Sequence, residues 1–264
     1  LSRADGTEQW SRPVPGPVRG AVTVGTEQPV LTVPIGDAGL FAFDARTGER
    51  RWRAEILGSQ PAAIADGRVY ATGYKRDGDT AVLRGLSATD GARQWETELG
   101  HPDSPPVVAN DSVLVADGDV LSVHDPADGT RTRTVGPFDG RIQHAPAISG
   151  GTTFVSTTGG SLFSVSLTDG SREWRQDLQV TSETGVTAGE DAVVAPVTGL
   201  PETSGPGIVA VERSDGTTRW EHAIEGFDAV VSTPPILANG AVFYVSNESS
   251  GVVALGDLPP REDQ

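Results

Sequence analysis

The stretch Phe41-Ala42-Phe43-Asp44-Ala45-Arg46-Thr47-Gly48-Glu49-Arg50-Arg51-Trp52 holds the phrase that organises this chain: an apolar run, an acidic turn closed by glycine, and a tryptophan four residues on. All five tryptophans of the 264-residue chain share it, at Gly6…Trp10, Gly48…Trp52, Gly91…Trp95, Gly170…Trp174 and Gly216…Trp220. A sixth copy, Asp128-Gly129, carries Arg133 in place of tryptophan. With glycines at 6, 48, 91, 129, 170 and 216, a unit of roughly 40–45 residues repeats. A repeat of that length is either a helical pair or a four-stranded propeller blade.

The flanking residues decide between the two. Leu40-Phe41-Ala42-Phe43-Asp44, Leu162-Phe163-Ser164-Val165-Ser166 and Ile208-Val209-Ala210-Val211-Glu212 are short, rich in β-branched and aromatic residues, and bounded by turn formers. That is strand chemistry. Asp-Gly or Thr-Gly then makes a hairpin turn, with glycine taking the positive φ that other residues resist. Two further strands precede each hairpin, such as Ala62 to Ala65 and Arg68 to Thr72, joined by Asp66-Gly67. Each unit is therefore four strands, A to D, and the 33 glycines and 19 prolines argue against helices. The expectation is an all-β propeller of six four-stranded antiparallel blades. Its last blade, with strands near Pro235 to Ala238, Ala241 to Val245 and Val252 to Leu255, is expected to be completed by the N-terminal Trp10 strand, which removes two unpaired edges. A single domain over 1–258 and a disordered acidic tail over 259–264 follow, with seven or eight blades if more of the repeat lies upstream.

Composition bounds the chemistry. The chain has no cysteine, which excludes disulfides, thiolate catalysis and zinc–thiolate sites. No apolar run reaches the 18 or so residues of a membrane span. The net charge is −16, and Lys75 is the single lysine. Nucleic acid is not an expected partner, since phosphate binding needs a basic footprint. Abundant acid with arginine in place of lysine matches either a salt-adapted, haloarchaeal-type surface or a GC-rich coding sequence; the first predicts loss of stability at low salt.

The phrase from Phe41 to Trp52, with Val209-Ala210-Val211-Glu212-Arg213-Ser214-Asp215-Gly216-Thr217-Thr218-Arg219-Trp220 close behind, resembles the tryptophan-docking repeat of the pyrroloquinoline-quinone-like propellers, Ala-x-Asp-x-x-Thr-Gly-x-x-x-Trp. The resemblance covers nearly the whole chain. It implies that Trp10, Trp52, Trp95, Trp174 and Trp220 are structural, packing between neighbouring blades, and that Arg133 marks a looser junction. It leaves activity open, because that family includes quinoprotein dehydrogenases, a bacterial outer-membrane assembly lipoprotein and sensor domains of membrane kinases. The dehydrogenases stack the quinone on adjacent cysteines and use eight blades; this chain has neither, so no cofactor and no enzyme activity are expected.

Other chemistry is thin. His101, His124, His144 and His222 are scattered without metal-ligand spacing, and no Gly-x-Ser-x-Gly elbow is present. Asp77-Gly78-Asp79 and Asp117-Gly118-Asp119 read as turns, because calcium needs six or more oxygens. No metal site is expected. One constellation stands out. In propellers the residues before each strand A line the channel mouth, and here Arg19, Gln60, Ser104, His144, Glu183 and Thr233 take that place. All are polar beside apolar strands, which fits either a binding ring or a plain water-filled mouth. The long loops between strands B and C, around Lys75-Arg76 and from Val197 to Gly207, open on the same face, and Lys75 and Arg76 form a small basic spot there. The expected function is a non-enzymatic, monomeric scaffold binding a protein or polymer partner on this face. The family resemblance implies a secreted or lipid-anchored cell-surface protein. A ligand-sensing propeller of a larger membrane or signalling protein is the alternative.

Overall fold

The computed structural model describes residues 5–102, 104–181, 183–200, 204–226, 230–247 and 251–256. The acidic tail expected at 259–264 lies outside the described residues, as does part of the 197–207 loop. Six antiparallel sheets follow one another along the chain, five of four strands and one of three. Sheet 1 has strands A to D at Thr23–Val24, Val30–Ile35, Gly39–Asp44 and Arg50–Ala54. Sheet 2 has Ala63–Ala65, Arg68–Tyr74, Ala81–Ser87 and Arg93–Glu98; sheet 3 has Val107–Ala109, Ser112–Asp117, Val120–His124 and Arg131–Val135. Sheet 4 has Ala147–Ser149, Thr152–Ser156, Ser161–Ser166 and Arg172–Asp177, and sheet 5 has Thr187–Ala188, Ala192–Val197, Gly207–Glu212 and Thr218–Ala223. Among the described residues sheet 6 has strands A to C, at Ile236–Ala238, Ala241–Tyr244 and Val253–Gly256. These are the blades of an all-β propeller fold, and the helical pair is excluded.

The closing strand expected from the sequence is not among these elements. Residues around Trp10 form no strand among the described residues. They are held on sheet 1, where the Trp10 indole N–H donates to Ala45 O at 3.1 Å and the Arg12 guanidinium donates to Gly48 O and Thr47 O.

Two repeated local devices build each blade. The first is the C–D turn. In sheet 1 the Asp44 carboxylate accepts the backbone N–H groups of Arg46 and Thr47, and Gly48 N–H returns to Asp44 O. Gly48 sits at φ +70°, where a side chain is strained. The second is a register shift between strands C and D, at Ala42/Phe43, Gly85/Leu86, Ser164/Val165 and Ala210/Val211. It sets each tryptophan opposite a small residue: Ala42 faces Trp52, Gly85 faces Trp95, Ser164 faces Trp174 and Ala210 faces Trp220. At Gly85 even a Cβ would lie 2.3 Å from the Trp95 ring.

The tryptophans then join one blade to the next. The indole N–H of Trp52 donates to Ala88 O, that of Trp95 to Pro126 O and that of Trp174 to Arg213 O, at 2.9–3.0 Å. Their rings lie over the next turn glycine, so a Cβ on Gly91, Gly129 or Gly216 would come within 2.4–2.7 Å of them. Apolar residues of facing blades fill the space around each ring. Trp52 packs with Leu40 and Ala42 against Val69, Ala71 and Leu86. Trp174 and Phe154 pack against Val193, Val209 and Val211.

The chain divides into two compact units, Leu1–Thr134 and Val135–Gln264. The division falls inside strand D of sheet 3, the one strand of its kind in which tryptophan is replaced, by Arg133.

Candidate functional site

The loop end of the blades is built by a third repeated device. An isolated bridge ties the segment before strand A to the end of strand B: Val18 to Ile35, Leu57 to Tyr74, Pro102 to Asp117, Val180 to Val197 and Val231 to Ser246. In sheet 4, Thr158 N–H donating to Arg141 O does the same work. The six polar residues singled out from the sequence follow these ties closely. Arg19, Glu183 and Thr233 are exposed, and Gln60 and His144 are half-buried. Ser104 is fully buried. Its hydroxyl donates to Pro105 O and its carbonyl accepts Thr72 Oγ1, so it braces the loop and does not face a partner.

Neighbouring members meet within each unit. In the first, a Cβ on Gly20, next to Arg19, would lie 2.8 Å from the Pro61 ring beside Gln60. Gln60 N–H donates to Thr72 O, and the Thr72 hydroxyl continues to Ser104. In the second, a Cβ on Gly185 would come within 3.2 Å of His144 Cβ, and Thr187 Oγ1 donates to Pro235 O, two residues from Thr233. The buried hydroxyls of Ser59 and Thr184, beside Gln60 and Glu183, have no partner among the described residues. A buried hydroxyl without a partner costs free energy, and neither residue carries a signal legible in the sequence.

The basic spot expected at Lys75 and Arg76 is compensated where it stands. Lys75 Nζ lies 2.6 Å from Glu98 and 3.4 Å from Glu96, and Arg76 pairs with Glu55 at 3.4 Å. The hydrogen bond that the Lys75 ammonium donates to Glu98 holds it above its ordinary pKa. Burial pushes the Glu96 carboxyl up, but Arg84 and Arg93, each at 2.8 Å, outweigh it and hold that group below the usual range. Acidic neighbours on strand D, more than twenty residues away in sequence, set this balance.

A second polar cluster had no signal in the repeat. In the loop before sheet 4, Phe138 is buried edge-on against Phe163 with ring centroids 4.9 Å apart. The Arg172 guanidinium lies 4.8 Å over the Phe138 ring, and that of Arg175 lies 5.4 Å over Phe163. The Asp139 carboxylate accepts the hydroxyls of Thr157 and Ser161 and pairs with Arg175 at 3.0 Å. The cluster staples the loop to its blade, and the half-exposed faces of the two arginines remain outward.

The acidic turns are occupied by the chain itself. The Asp77 carboxylate accepts the N–H groups of Asp79 and Thr80. That of Asp117 accepts those of Gly100 and His101 and pairs with Arg131 at 3.3 Å. His124 is fully buried, with Nδ1 3.1 Å from Gly129 O and Nε2 3.0 Å from Ser122 Oγ. Among the described residues no group of three or more His, Cys, Asp or Glu side chains is placed to hold a metal ion, and no helix is long and apolar enough to cross a membrane.

Comparison with known proteins narrows the reading. A family model described as outer membrane protein assembly factor BamB matches residues 1–132 and 79–263. The outer membrane protein assembly factor BamB of Yersinia pestis is 29% identical over 171 residues, which is 59% of this chain and 44% of that protein. The chain thus matches less than half the length of that relative. Among solved structures, BamB from Moraxella catarrhalis superposes with a TM-score of 0.74 at 21% identity, covering 94% of this chain and 76% of that one. The computationally designed protein Ika8 gives 0.71 at 12% identity, covering 90% and 70%, and the C-terminal WD40 domain of Sif2 gives 0.68 at 11%, covering 90% and 69%. The structural likenesses establish the propeller fold, and a fold shared by proteins this different assigns no activity.

Proposed function

The chain belongs to the family described as outer membrane protein assembly factor BamB, and from that premise we propose that it is a non-enzymatic propeller that binds a protein partner on the loop ends of its blades. The observation that carries the reading is the repeated tie before strand A, which is followed within one to three residues by a polar side chain: Arg19 and Gln60 in one unit, His144, Glu183 and Thr233 in the other. Rigid sheets that hold variable polar loops are a common way to build a recognition surface. The residues do not fit a quinone site. The chain has no cysteine to stack on the cofactor, and the acidic turns at Asp77 and Asp117 are engaged as turn and loop braces. By the same premise the protein works outside the cytoplasm, at a membrane surface.

Photo-crosslinking residues at Gln60, Glu183 and Thr233, with controls on the outer strands at Arg51 and Arg219, test this in the native host. The expected result is one discrete adduct from the loop positions and none from the controls. Equal labelling from both sets would remove the assignment of face. Quinone-dependent alcohol oxidation by the purified chain with added calcium would remove the non-enzymatic reading.

A further inference from the structure

The residue that receives each indole N–H has a second task, set by its side chain. Ala88, Pro126 and Arg213 stand at one step of the repeat, and the carbonyl of each accepts the tryptophan of the preceding sheet. Ala88 and Arg213 also share a backbone bond. Each donates its N–H to the A–B turn of its own sheet, to Gly67 O at 2.9 Å and to Asp191 O at 2.8 Å. Beyond the backbone the three junctions differ.

At two of them a guanidinium spans the gap between one sheet and the next. Between sheets 4 and 5, Arg213 reaches back across the junction, and its Nη1 donates to Ser149 O at 3.3 Å. It fills the space there so fully that Gly150 has no room for a Cβ. Between sheets 2 and 3 the cation comes from the other side. Arg68 of sheet 2 donates through Nη1 to Pro126 O at 3.0 Å and through Nε to Gln94 Oε1 at 2.7 Å.

Between sheets 1 and 2 neither arginine is present. Ala88 stands where Arg213 stands, and Val30, opposite Asp44, stands where Arg68, opposite Ser87, stands. A cleft of about 160 Å³ is left open, lined by Gly25, Glu27, Gln28, Ile64, Asp66 and Ala88. Gly25 closes its turn against Val30 as Ser149 does against Thr152, so it occupies the step whose carbonyl holds the Arg213 guanidinium. The turn itself is longer here. Thr26 to Pro29 replace Gly150-Gly151 and add the Glu27 carboxylate, which is exposed at the rim. Among the described residues no cation pairs with Glu27 or with Asp66, in a cleft that these two carboxylates make acidic.

We propose that this cleft is a binding site for an arginine side chain of a partner protein, held where Arg213 and Arg68 close the other two junctions from within. A guanidinium presents a planar fork of N–H donors, and the cleft presents acceptors on several sides: two carboxylates, the Gln28 amide oxygen and the turn carbonyls. A lysine ammonium is a point charge that cannot meet that spread in one plane. The A–B turns lie at the opposite end of each sheet from the polar loop step, so this site is separate from the face proposed above and does not depend on it.

The test is an NMR titration of the full chain with N-acetyl-arginine amide, which presents the side chain as a protein does. Saturable shifts are expected at Gly25, Thr26, Glu27, Gln28, Gly67 and Ala88. N-acetyl-lysine amide should bind about tenfold more weakly, since it forgoes at least one charge-assisted hydrogen bond. Ala88→Arg supplies the guanidinium from within and should abolish the shifts. The surface pair Glu27→Gln with Asp66→Asn, which leaves the packing alone, should weaken binding about tenfold. Free arginine should bind less well than the capped form, because its own carboxylate meets Glu27 and Asp66. No saturable shifts at these residues would overturn the proposal. So would equal binding of lysine, which means general attraction to an acidic surface, or undiminished binding by the folded double variant. Tighter binding of free arginine would make this a small-molecule site and overturn the assignment to a protein partner.

Discussion

The indole of Trp52 acts in two ways: its ring covers Gly91, and its N–H closes on Ala88 O. Trp52→Ala should therefore cost about 3–5 kcal/mol in urea denaturation, the range for deleting a large core aromatic. Trp220 lines a groove and its indole N–H donates to no group among the described residues, so Trp220→Ala should cost less by at least about 1 kcal/mol, the net worth of one hydrogen bond. Equal losses would mean that Trp220 is docked like the others. Gly91→Ala should be worse than Gly6→Ala. Both meet the penalty of a left-handed backbone, roughly 1–2 kcal/mol, but only the first drives a Cβ into an indole, at 2.6 Å. His124 makes stability depend on pH. Burial, aided by Arg131 and opposed by Gly129 O and Asp117, holds its imidazole below the ordinary value. With the folded pKa depressed, its contribution is complete above the unfolded value of about 6.5 and is lost as pH falls below it. Denaturation midpoints should fall between pH 7 and 5 in the natural chain and fall less in His124→Gln; parallel slopes would refute this.

At the scale of elements, the C–D turns behave as small electrostatic units. Arg51, with the N–H groups of Arg46 and Thr47, lowers the Asp44 carboxyl to about 2, and the N–H of Ser171 leads the same shift to about 2 at Asp169. These depressed values stabilise the fold above the ordinary carboxylate range, and that contribution is lost as pH falls through it toward 2. Carboxyl titration by NMR should show Asp44 rising toward its usual value in Arg51→Gln while Asp169 stays put. Both turns were legible in the sequence, because Asp-x-x-Thr-Gly and Ser-Leu-Thr-Asp-Gly state their own hydrogen bonding locally. Strands B to D of the sheets were legible for the same reason: alternation and turn residues act over a few positions. The Phe138–Arg172 staple and the Lys75–Glu98 pair were not. Their partners are 34 and 23 residues apart, and only the folded blade brings them together. The Trp10 segment carries the phrase of a strand D and docks its indole on a carbonyl as the strand-D tryptophans do, but it forms no strand among the described residues, because a strand also needs a hydrogen-bonded neighbour.

For the whole molecule the governing number is the net charge of −16. Ion pairs such as Arg84–Glu96 and Arg219–Glu212 do not reduce it, since each pair is neutral and leaves the same acidic excess. Salt therefore acts on two opposed quantities. It weakens the exposed pairs, each worth about 0–1 kcal/mol. It also screens repulsion among the excess carboxylates, which folding brings closer together, as the Debye length shrinks from about 10 Å at 0.1 M to about 3 Å at 1 M. Every excess charge interacts with all the others, whereas each pair involves only two groups, so the repulsive sum is the larger. The melting temperature should rise as salt is raised from roughly 0.1 to 1 M. Neutralising the exposed Glu27, Glu49 and Glu190 to glutamine should raise it at low salt and flatten the dependence. A melting temperature indifferent to salt, or a triple variant with an unchanged slope, would mean that the acidic composition reflects coding bias and has no role in stability.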